Sequence, residues 1–325
     1  MKFAVVGCGA VGSYYGAMLA RAGRDVHFLL RSDYEIVRRH GVSIRSPAGN
    51  FKVRPRCART PDEIGGSDVV LIALKTTAND QFAELLPPLV RPDTIVVTLQ
   101  NGLGNEEQLA RVFPPLQIVG GICFVGLNRT APGVIEHLGE GMIRLGEFAG
   151  WPEPRTQHLA TVFRDAGVPC NVTDNLARAR WEKLVWNIPF NGLGVLSAAG
   201  PNATIQHPVV TNLQLRPCLT TFELLADPRW ARLVEDLMRE IISTAIALGH
   251  KLDFTLADRM LERTRVIGAY KASTLLDFEL GRPIELDALF NEPLRQAQRA
   301  GVETPLLSDL TTRLQELITT RATQT

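Results

Sequence analysis

A lysine and two asparagines share one face of a predicted helix in the second half of the chain. Lys183, Asn187 and Asn191 are spaced four residues apart, which stacks side chains on one side of an α-helix. The segment around them, RWEKLVWNIPFN (180–191), is so apolar that the helix is expected to be buried, and buried polar groups need partners. The pattern predicts a pocket wall whose ammonium can stabilise a developing oxyanion and donate a proton. Two alternatives stay open: an ordinary solvated lysine, and two amides that make structural hydrogen bonds.

A glycine motif at the N-terminus predicts a turn that binds the phosphates of a dinucleotide. The motif follows an apolar run (2–7) and opens a helix-like segment (10–22), and a second apolar run (25–30) completes a βαβ unit. The first glycine allows the tight turn, the second lets a pyrophosphate approach the backbone, and the third allows close helix packing. The alternative is a glycine-rich turn without a ligand. The residues of the motif are Gly7, Cys8, Gly9, Ala10, Val11 and Gly12.

The residues after the second apolar run favour NADP(H) over NAD(H). NAD enzymes usually carry an acid there that bonds the ribose hydroxyls, but this chain has Leu-Leu-Arg-Ser, and we expect no acid to be available. The guanidinium of Arg31 is placed to pair with a 2′-phosphate, and Lys75 adds a second positive charge. Taken alone, Arg31 could also be an ordinary loop arginine.

The elements that position these residues predict two domains. Alternating apolar runs and helix-like segments up to about residue 170 predict a Rossmann-type α/β domain (1–170), and the remainder predicts an all-α domain (171–325). The active site is expected in the cleft between them. Segment 197–217 has no assignment. Within the domains we expect hairpins at 42–53 and 131–147, strands at 69–74, 94–99 and 118–119, and helices at 80–89, 174–196, 229–248, 255–277 and 285–299.

Composition and charge exclude several classes of protein. The chain has 325 residues, 45% of them hydrophobic, and a formal net charge of +1, so neither nucleic acid nor a membrane surface is expected as a partner. No segment approaches the roughly 20 apolar residues that span a bilayer. Five dispersed cysteines without CxxC spacing favour reduced thiols in the cytoplasm and no metal site. The oligomeric state is not readable, and a homodimer is one expectation.

The order of motifs along the chain resembles ketopantoate reductase (2-dehydropantoate 2-reductase) from end to end. The matching segments are GCGAVG, LKTT, QNGLG (100–104), PGVIEHLGEG, WEKLVWNIPFN and STLLDFELGRPIELD (273–287). The resemblance implies an oxidoreductase that reduces a small 2-oxoacid, 2-dehydropantoate, to pantoate with NADPH, a step towards pantothenate.

The resemblance also implies roles for individual residues. Lys183 corresponds to the catalytic general acid, and Glu285 to an acid that contacts the cofactor side of the site and orders the lysine. Asn101 corresponds to an asparagine near both nicotinamide and substrate, Asn187 and Asn191 to substrate-binding amides, and Ser273 to the serine that holds the substrate carboxylate.

Departures from the family pattern leave the substrate open. Ala272 stands where many relatives carry a first serine, Thr221 stands where some have a substrate-contacting asparagine, and segment 197–217 looks like an insertion. The alternatives are a reductase of another 2-oxoacid, a non-catalytic NADP(H)-binding sensor, and a 3-hydroxyacid dehydrogenase of similar architecture. A sensor has no need for a buried lysine beside two asparagines.

Overall fold

The computed structural model describes residues 1–207 and 214–322. The chain divides into two compact units, Met1–Leu176 (unit 1) and Ala177–Thr325 (unit 2), with the division shortly after the boundary expected at residue 170.

Unit 1 is built on one ten-stranded sheet, and all of its residues are described. Its strands are β1 (Lys2–Val6), β2 (Asp25–Leu29), β3 (Val42–Arg45), β4 (Phe51–Val53), β5 (Arg56–Ala58), β6 (Ser67–Ile72), β7 (Val90–Thr98), β8 (Ile118–Ala131), β9 (Val134–Glu147) and β10 (Cys170–Val172). Strands β5, β2, β1, β6, β7 and β8 lie side by side and parallel. The direction of chain progression reverses at β1, between β2 and β6, which is the switch point where α/β sheets bind ligands.

The rest of the sheet is mixed. Strand β9 runs antiparallel to β8, β3 and β10 pair with different parts of β9 in parallel, and β4 closes an antiparallel hairpin with β3. The hairpin predicted at 42–53 is therefore confirmed. The α-helices of unit 1 are α1 (Ala10–Arg21), α2 (Tyr34–His40), α3 (Pro61–Ile64), α4 (Phe82–Leu85), α5 (Asn105–Leu109) and α6 (Pro154–Asp165), with 3₁₀ turns at Thr76–Gln81, Pro87–Leu89 and Pro115–Gln117.

Both faces of the parallel sheet are buried, which explains the continuous apolar runs. In β6, Val69 and Leu71 face one core with α1 and α6, whereas Val70 and Ile72 face the other with α4; all four are fully buried. A strand that is buried on both faces has apolar residues on both, so its sequence does not alternate between apolar and polar residues.

Unit 2 is helical: residues 177–207 and 214–322 contain no β-strand. Its helices are α7 (Leu176–Leu196), α8 (Thr221–Ala226), α9 (Pro228–Ala247), α10 (Thr255–Ile267), α11 (Ser273–Glu279), α12 (Glu292–Arg299) and α13 (Pro305–Ala322), with a 3₁₀ turn at Ser197–Ala199 and a π-helical turn at Asp287–Asn291. The predicted fold class, a Rossmann-type domain followed by an all-α domain, is confirmed. In the described part of the chain, no helix has both the length and the apolarity to cross a membrane.

Several predicted elements were wrong in extent. Segment 131–147 is mostly one long strand, β9, whose partner β8 has fourteen residues instead of the short strand expected at 118–119. Glycines at positions 120, 121 and 126 interrupt the apolar residues of β8, and residues 124–131 are half-buried or exposed, so the sequence did not predict one long strand. The helix expected at 255–277 is broken at Gly268, where φ is +76°.

Two other segments also differ from expectation. Segment 80–89 is a series of short turns around α4, and Glu285 precedes the helical turn it was expected to begin. Of the unassigned segment 197–217, residues 208–213 lie outside the described residues.

Candidate active site

The glycine turn of unit 1 lies where β1 ends, and its backbone conformation needs glycine. Gly7 has a φ of +96°, and a Cβ there would overlap the backbone of Ala73 and Leu74, which follow β6. A Cβ on Gly12 would overlap the Gly7 carbonyl oxygen and crowd Val5 in β1. These two glycines therefore let α1 start directly against β1 and β6.

Gly9 differs, because a Cβ on it would meet no atom within 4 Å. The fold does not fill that space, and Gly9 caps the N-terminus of α1, a helix without an acidic residue in its first turn. A helix N-terminus attracts anionic groups through its backbone N–H groups and its dipole. An unfilled space at this helix end fits the pyrophosphate of a dinucleotide. Cys8 contributes backbone: its carbonyl accepts a hydrogen bond from Ser13 Oγ at 3.0 Å.

The loop after β2 contains an acid as well as the predicted arginine. Arg31 is exposed, whereas Asp33 is 6% exposed. The carboxylate of Asp33 accepts hydrogen bonds from Arg129 and from the backbone N–H of Gly133. The expectation that this loop has no acid was therefore wrong, because Asp33 is present. Its carboxylate is, however, bound by Arg129 from β8.

A chain of buried amides fixes the loops that follow β6 and β7. Gln100 Nε2 donates to the Leu74 carbonyl at 3.0 Å and to Asn79 Oδ1 at 2.7 Å. Asn79 Nδ2 donates to Asn105 Oδ1 at 3.0 Å, and Asn105 Nδ2 donates to the Asn101 carbonyl at 2.9 Å. Fully satisfied buried networks of this kind hold their backbone rigidly. They set the positions of the predicted site residues on either side, Lys75 and Asn101.

Lys75 and Asn101 therefore both lie at the carboxyl edge of the parallel sheet, as the glycine turn does. Lys75 is exposed and Asn101 is half-buried. Asn79 and Asn105 support the site but were not predicted from the sequence. Their only signal was polarity close to the QNGLG motif, and a buried amide cannot be told from a surface amide by its letter.

In unit 2, helix α7 places the predicted lysine and asparagines along one side. Lys183 is half-buried, Asn187 is 6% exposed and Asn191 is 4% exposed. Asn191 Nδ2 donates to the Asn187 carbonyl at 2.8 Å, which orients its amide. Pro189, inside the helix, has no N–H to donate to the Val185 carbonyl.

Aromatic residues hold α7 in place. Trp186 Nε1 donates to Thr264 Oγ1 in α10 at 2.9 Å, and its ring lies 4.9 Å from that of Phe190. The ring of Trp181, fully buried, lies 6.5 Å from that of His250. The apolar residues that suggested a buried helix thus serve as its anchors.

The elements that carry Ser273 and Glu285 pack on the C-terminal part of α7. A Cβ on Gly194 would lie 2.7 Å from Leu275 in α11, the helix that begins at Ser273. A Cβ on Gly192 would lie 2.9 Å from Phe290, in the turn that follows Glu285. Glycines at these positions let both elements approach α7 closely. Ser273 is half-buried and Glu285 is 5% exposed.

Thr221 and His137 both have structural roles. The hydroxyl of Thr221 donates to the Gly268 carbonyl at 2.6 Å and accepts from the Tyr270 N–H at 3.1 Å, so it ties α8 to the break after α10. His137, in β9, is 7% exposed, and its ring makes hydrogen bonds with Ser46 Oγ at 2.9 Å and with the Glu140 carbonyl at 2.9 Å. Strand β3 pairs with the preceding residues of β9, and the Tyr14 ring in α1 lies 4.6 Å from the His137 ring.

The parallel strand order and the glycine turn define unit 1 as a dinucleotide-binding domain of the Rossmann type. Together with a lysine- and amide-bearing helical unit, this is the architecture of a nicotinamide-dependent oxidoreductase.

Comparison with known proteins gives the particular family. Residues 3–150 match the model described as "Ketopantoate reductase PanE/ApbA", and residues 218–317 match "Ketopantoate reductase PanE/ApbA C terminal". The chain is 40% identical to a 2-dehydropantoate 2-reductase of Nostoc sp. over 95% of its length and 92% of the relative's. The chain belongs to the ketopantoate reductase family, and it is an oxidoreductase. The predicted cofactor, NADP(H), is confirmed for the family, which uses NADPH.

Solved structures agree on the fold. A crystal structure of 2-dehydropantoate 2-reductase from Geobacter metallireducens is 44% identical, with a TM-score of 0.88, and the match covers 97% of this chain and 99% of that one. A ternary structure of D-mandelate dehydrogenase with NADH and anilino(oxo)acetate matches 99% of both chains with a TM-score of 0.86. At 20% identity, the second likeness shows the shared fold alone.

Proposed function

We propose that this enzyme reduces 2-dehydropantoate to pantoate with NADPH, and that Lys183 is the general acid. The observation that carries the proposal is the half-buried lysine in line with two buried asparagines on α7, in a chain whose 40% identical relative bears that enzyme name. The reaction belongs to pantothenate biosynthesis. A cytoplasmic location and a homodimer stay predictions.

NADPH supplies the hydride when it is bound, and the protein's residues do the rest. The space at Gly9 and the N-terminus of α1 fit the pyrophosphate, and Arg31 is exposed where a 2′-phosphate would lie. Cys8, Ala10 and Val11 contribute backbone to the same turn, and Lys75 adds positive charge at the sheet edge.

The proton comes from Lys183. As the substrate carbonyl carbon gains a hydride, its oxygen becomes negative; the ammonium stabilises that charge and then donates a proton to give the hydroxyl group. The products balance as a 2-hydroxyacid and oxidised cofactor. We assign Asn101, Asn187 and Asn191 to orienting the substrate, and Ser273 to its carboxylate.

Glu285 completes the proposed site as a carboxylate that favours the charged form of the lysine and contacts the cofactor. An acid near a lysine raises the affinity of the amine for its proton, so the lysine would hold its proton until the alkoxide forms. Burial of Glu285 at 5% exposure supports a fixed rather than a solvated role.

A reductase of another 2-oxoacid is the second candidate. Thr221 stands where the resemblance implies a substrate-contacting asparagine in some relatives, and its hydroxyl makes hydrogen bonds to the backbone of Gly268 and Tyr270. Ala272 stands where the resemblance implies a serine in many relatives, and it is buried and apolar. Both residues remove polar contacts that a polar substrate such as 2-dehydropantoate could use.

A panel of 2-oxoacids tests the proposal directly. Initial rates of NADPH oxidation are measured with 2-dehydropantoate and with branched and aromatic 2-oxoacids, each with NADPH and NADH. We expect the highest kcat/KM for 2-dehydropantoate with NADPH. A better substrate beside negligible turnover of 2-dehydropantoate would establish the second candidate instead.

A further inference from the structure

Asp33 occupies a position from which an acid could select NAD(H). It follows Gly12 by about twenty residues, the separation at which dinucleotide-binding domains carry the acid that bonds the ribose hydroxyls. It lies in the same loop as Arg31. The two side chains would favour different cofactors: an acid favours the free ribose hydroxyls of NAD(H), whereas Arg31 favours the 2′-phosphate of NADP(H).

The fold ties the Asp33 carboxylate to β8. Arg129 Nε donates to it at 3.0 Å and Arg129 Nη2 makes a second bond, a bidentate arrangement that fixes geometry as well as charge. The Gly133 N–H at 3.3 Å and Ser32 Oγ at 3.0 Å complete its hydrogen bonds. The side chains of Asp33 and Arg129 are 8% and 35% exposed.

The Asp33 carboxylate does not cap its own helix. Asp33 is the N-cap residue of α2, and aspartate at an N-cap usually accepts hydrogen bonds from its own helix. Asp33 makes no such bond. Its carboxylate binds Arg129 instead, so helix α2 lacks the stabilisation of a side-chain N-cap, and the carboxylate is held against β8.

The carboxylate is also close to the glycine turn. Burial, together with the nearby Cys57 thiol and Asp33 carboxylate, holds the pKa of the Cys8 thiol well above its usual value. Strand β2 pairs with β1 so that Leu29 lies opposite Val6, and the loop that carries Asp33 therefore starts beside the glycine turn. An unpaired negative charge in that loop would repel an anionic ligand of the turn.

We propose that Arg129 is a specificity-determining positioning residue for the dinucleotide. By binding the Asp33 carboxylate, it withholds from the ribose the acid that would favour NAD(H), and it neutralises a charge that would repel the 2′-phosphate of NADPH. This inference rests on the NADPH preference in the proposed function. Arg129 acts through Asp33 and need not touch the cofactor.

Substitution of Arg129 should change the ratio of the two affinities. Arg129→Leu leaves an unpaired carboxylate near the phosphate, and repulsion through partly solvated protein over several ångströms corresponds to roughly a tenfold loss. The ratio of Kd for NADH to Kd for NADPH should therefore fall by about tenfold or more. General damage to the fold would weaken both cofactors and leave the ratio unchanged.

The experiment measures equilibrium binding of NADPH and NADH by fluorescence, without substrate. Arg129→Leu is compared with the double variant Arg129→Leu/Asp33→Asn, in which the acid is neutral and the wild-type ratio should largely return. Arg155→Leu is the matched control, since Arg155 binds Glu147 at 2.6 Å in a pair of similar burial between α6 and β9. We expect this control to leave the ratio unchanged.

Arg129→Gln keeps the measurement possible if the leucine variant does not fold, because its amide can still donate to Asp33 but brings no charge. A wild-type protein that prefers NADPH, together with an Arg129 variant whose ratio stays within twofold of wild type, overturns this inference alone. A wild-type protein that binds both cofactors equally overturns the proposed cofactor preference and this inference with it.

Discussion

Replacing Gly9 with alanine should weaken cofactor binding while leaving the fold intact or slightly more stable. Gly9 has φ −74° and ψ −153°, a conformation that alanine adopts without strain, and a Cβ there would touch no protein atom within 4 Å. An unstrained Gly→Ala change stabilises a protein by about 0.4–1 kcal/mol, because the unfolded chain loses conformational freedom.

The same methyl group would occupy the space proposed for the pyrophosphate. Backbone hydrogen bonds to a charged group contribute about 1.5–3 kcal/mol each, and displacing the phosphate should break at least one. NADPH affinity should therefore fall by roughly tenfold to a hundredfold. Opposite changes in stability and affinity are the signature of a site that the fold leaves unfilled.

Thermal unfolding and fluorescence titration with NADPH measure the two effects. Gly139→Ala is the control, because a Cβ at Gly139, in β9, likewise meets nothing within 4 Å. We expect no loss of affinity there. NADPH binding by the Gly9→Ala variant with wild-type affinity would refute the assignment of the pyrophosphate to this turn.

Three further predictions follow from other residues. Arg31→Ala should lower the ratio of kcat/KM for NADPH to that for NADH by about tenfold, because the pairing with the 2′-phosphate is lost. Steady-state kinetics with both cofactors measures this ratio, and an unchanged ratio would show that the arginine is an ordinary loop residue. Asn105→Leu should lower the free energy of unfolding by about 1–3 kcal/mol, because it leaves the buried Asn79 amide unsatisfied; denaturant titration measures this. Burial raises the pKa values of Cys170 and Cys218 to about 12, so both should resist a thiol reagent at pH near 8 until the protein unfolds; rapid native labelling of either would contradict their burial.

The parts of the fold that follow from local pattern were predictable. The glycine turn, strand β6 and helix α7 each carry their evidence within a few neighbouring residues. Gly268, by contrast, was not recognised as a helix break, because an isolated glycine is tolerated within a helical pattern. Its φ of +76° follows from the turn that Thr221 holds by hydrogen bonds, a contact between segments far apart in the chain.

The least predictable features of the candidate site depend on distant pairs. The bond between Asp33 and Arg129 joins residues 96 positions apart. The hairpin of β8 and β9 reaches Asp33 because β9 pairs with β3, the strand that follows α2. An acid about twenty residues after the glycine motif can be read from the sequence, but its partner, Arg129, cannot. The hydrogen bond between Asn79 and Asn105 could not be predicted for the same reason, since it joins residues 26 positions apart.

In the proposed mechanism, the ammonium of Lys183 is the proton donor of a 2-oxoacid reduction. Lys183→Ala is measured for NADPH affinity by fluorescence and for kcat with the best substrate of the panel. We predict a wild-type NADPH affinity and a kcat lower by roughly 10²–10³, as for loss of one preorganised donor to a developing oxyanion. A Lys183→Ala variant with a kcat within twofold of the wild-type value would contradict this role of the lysine.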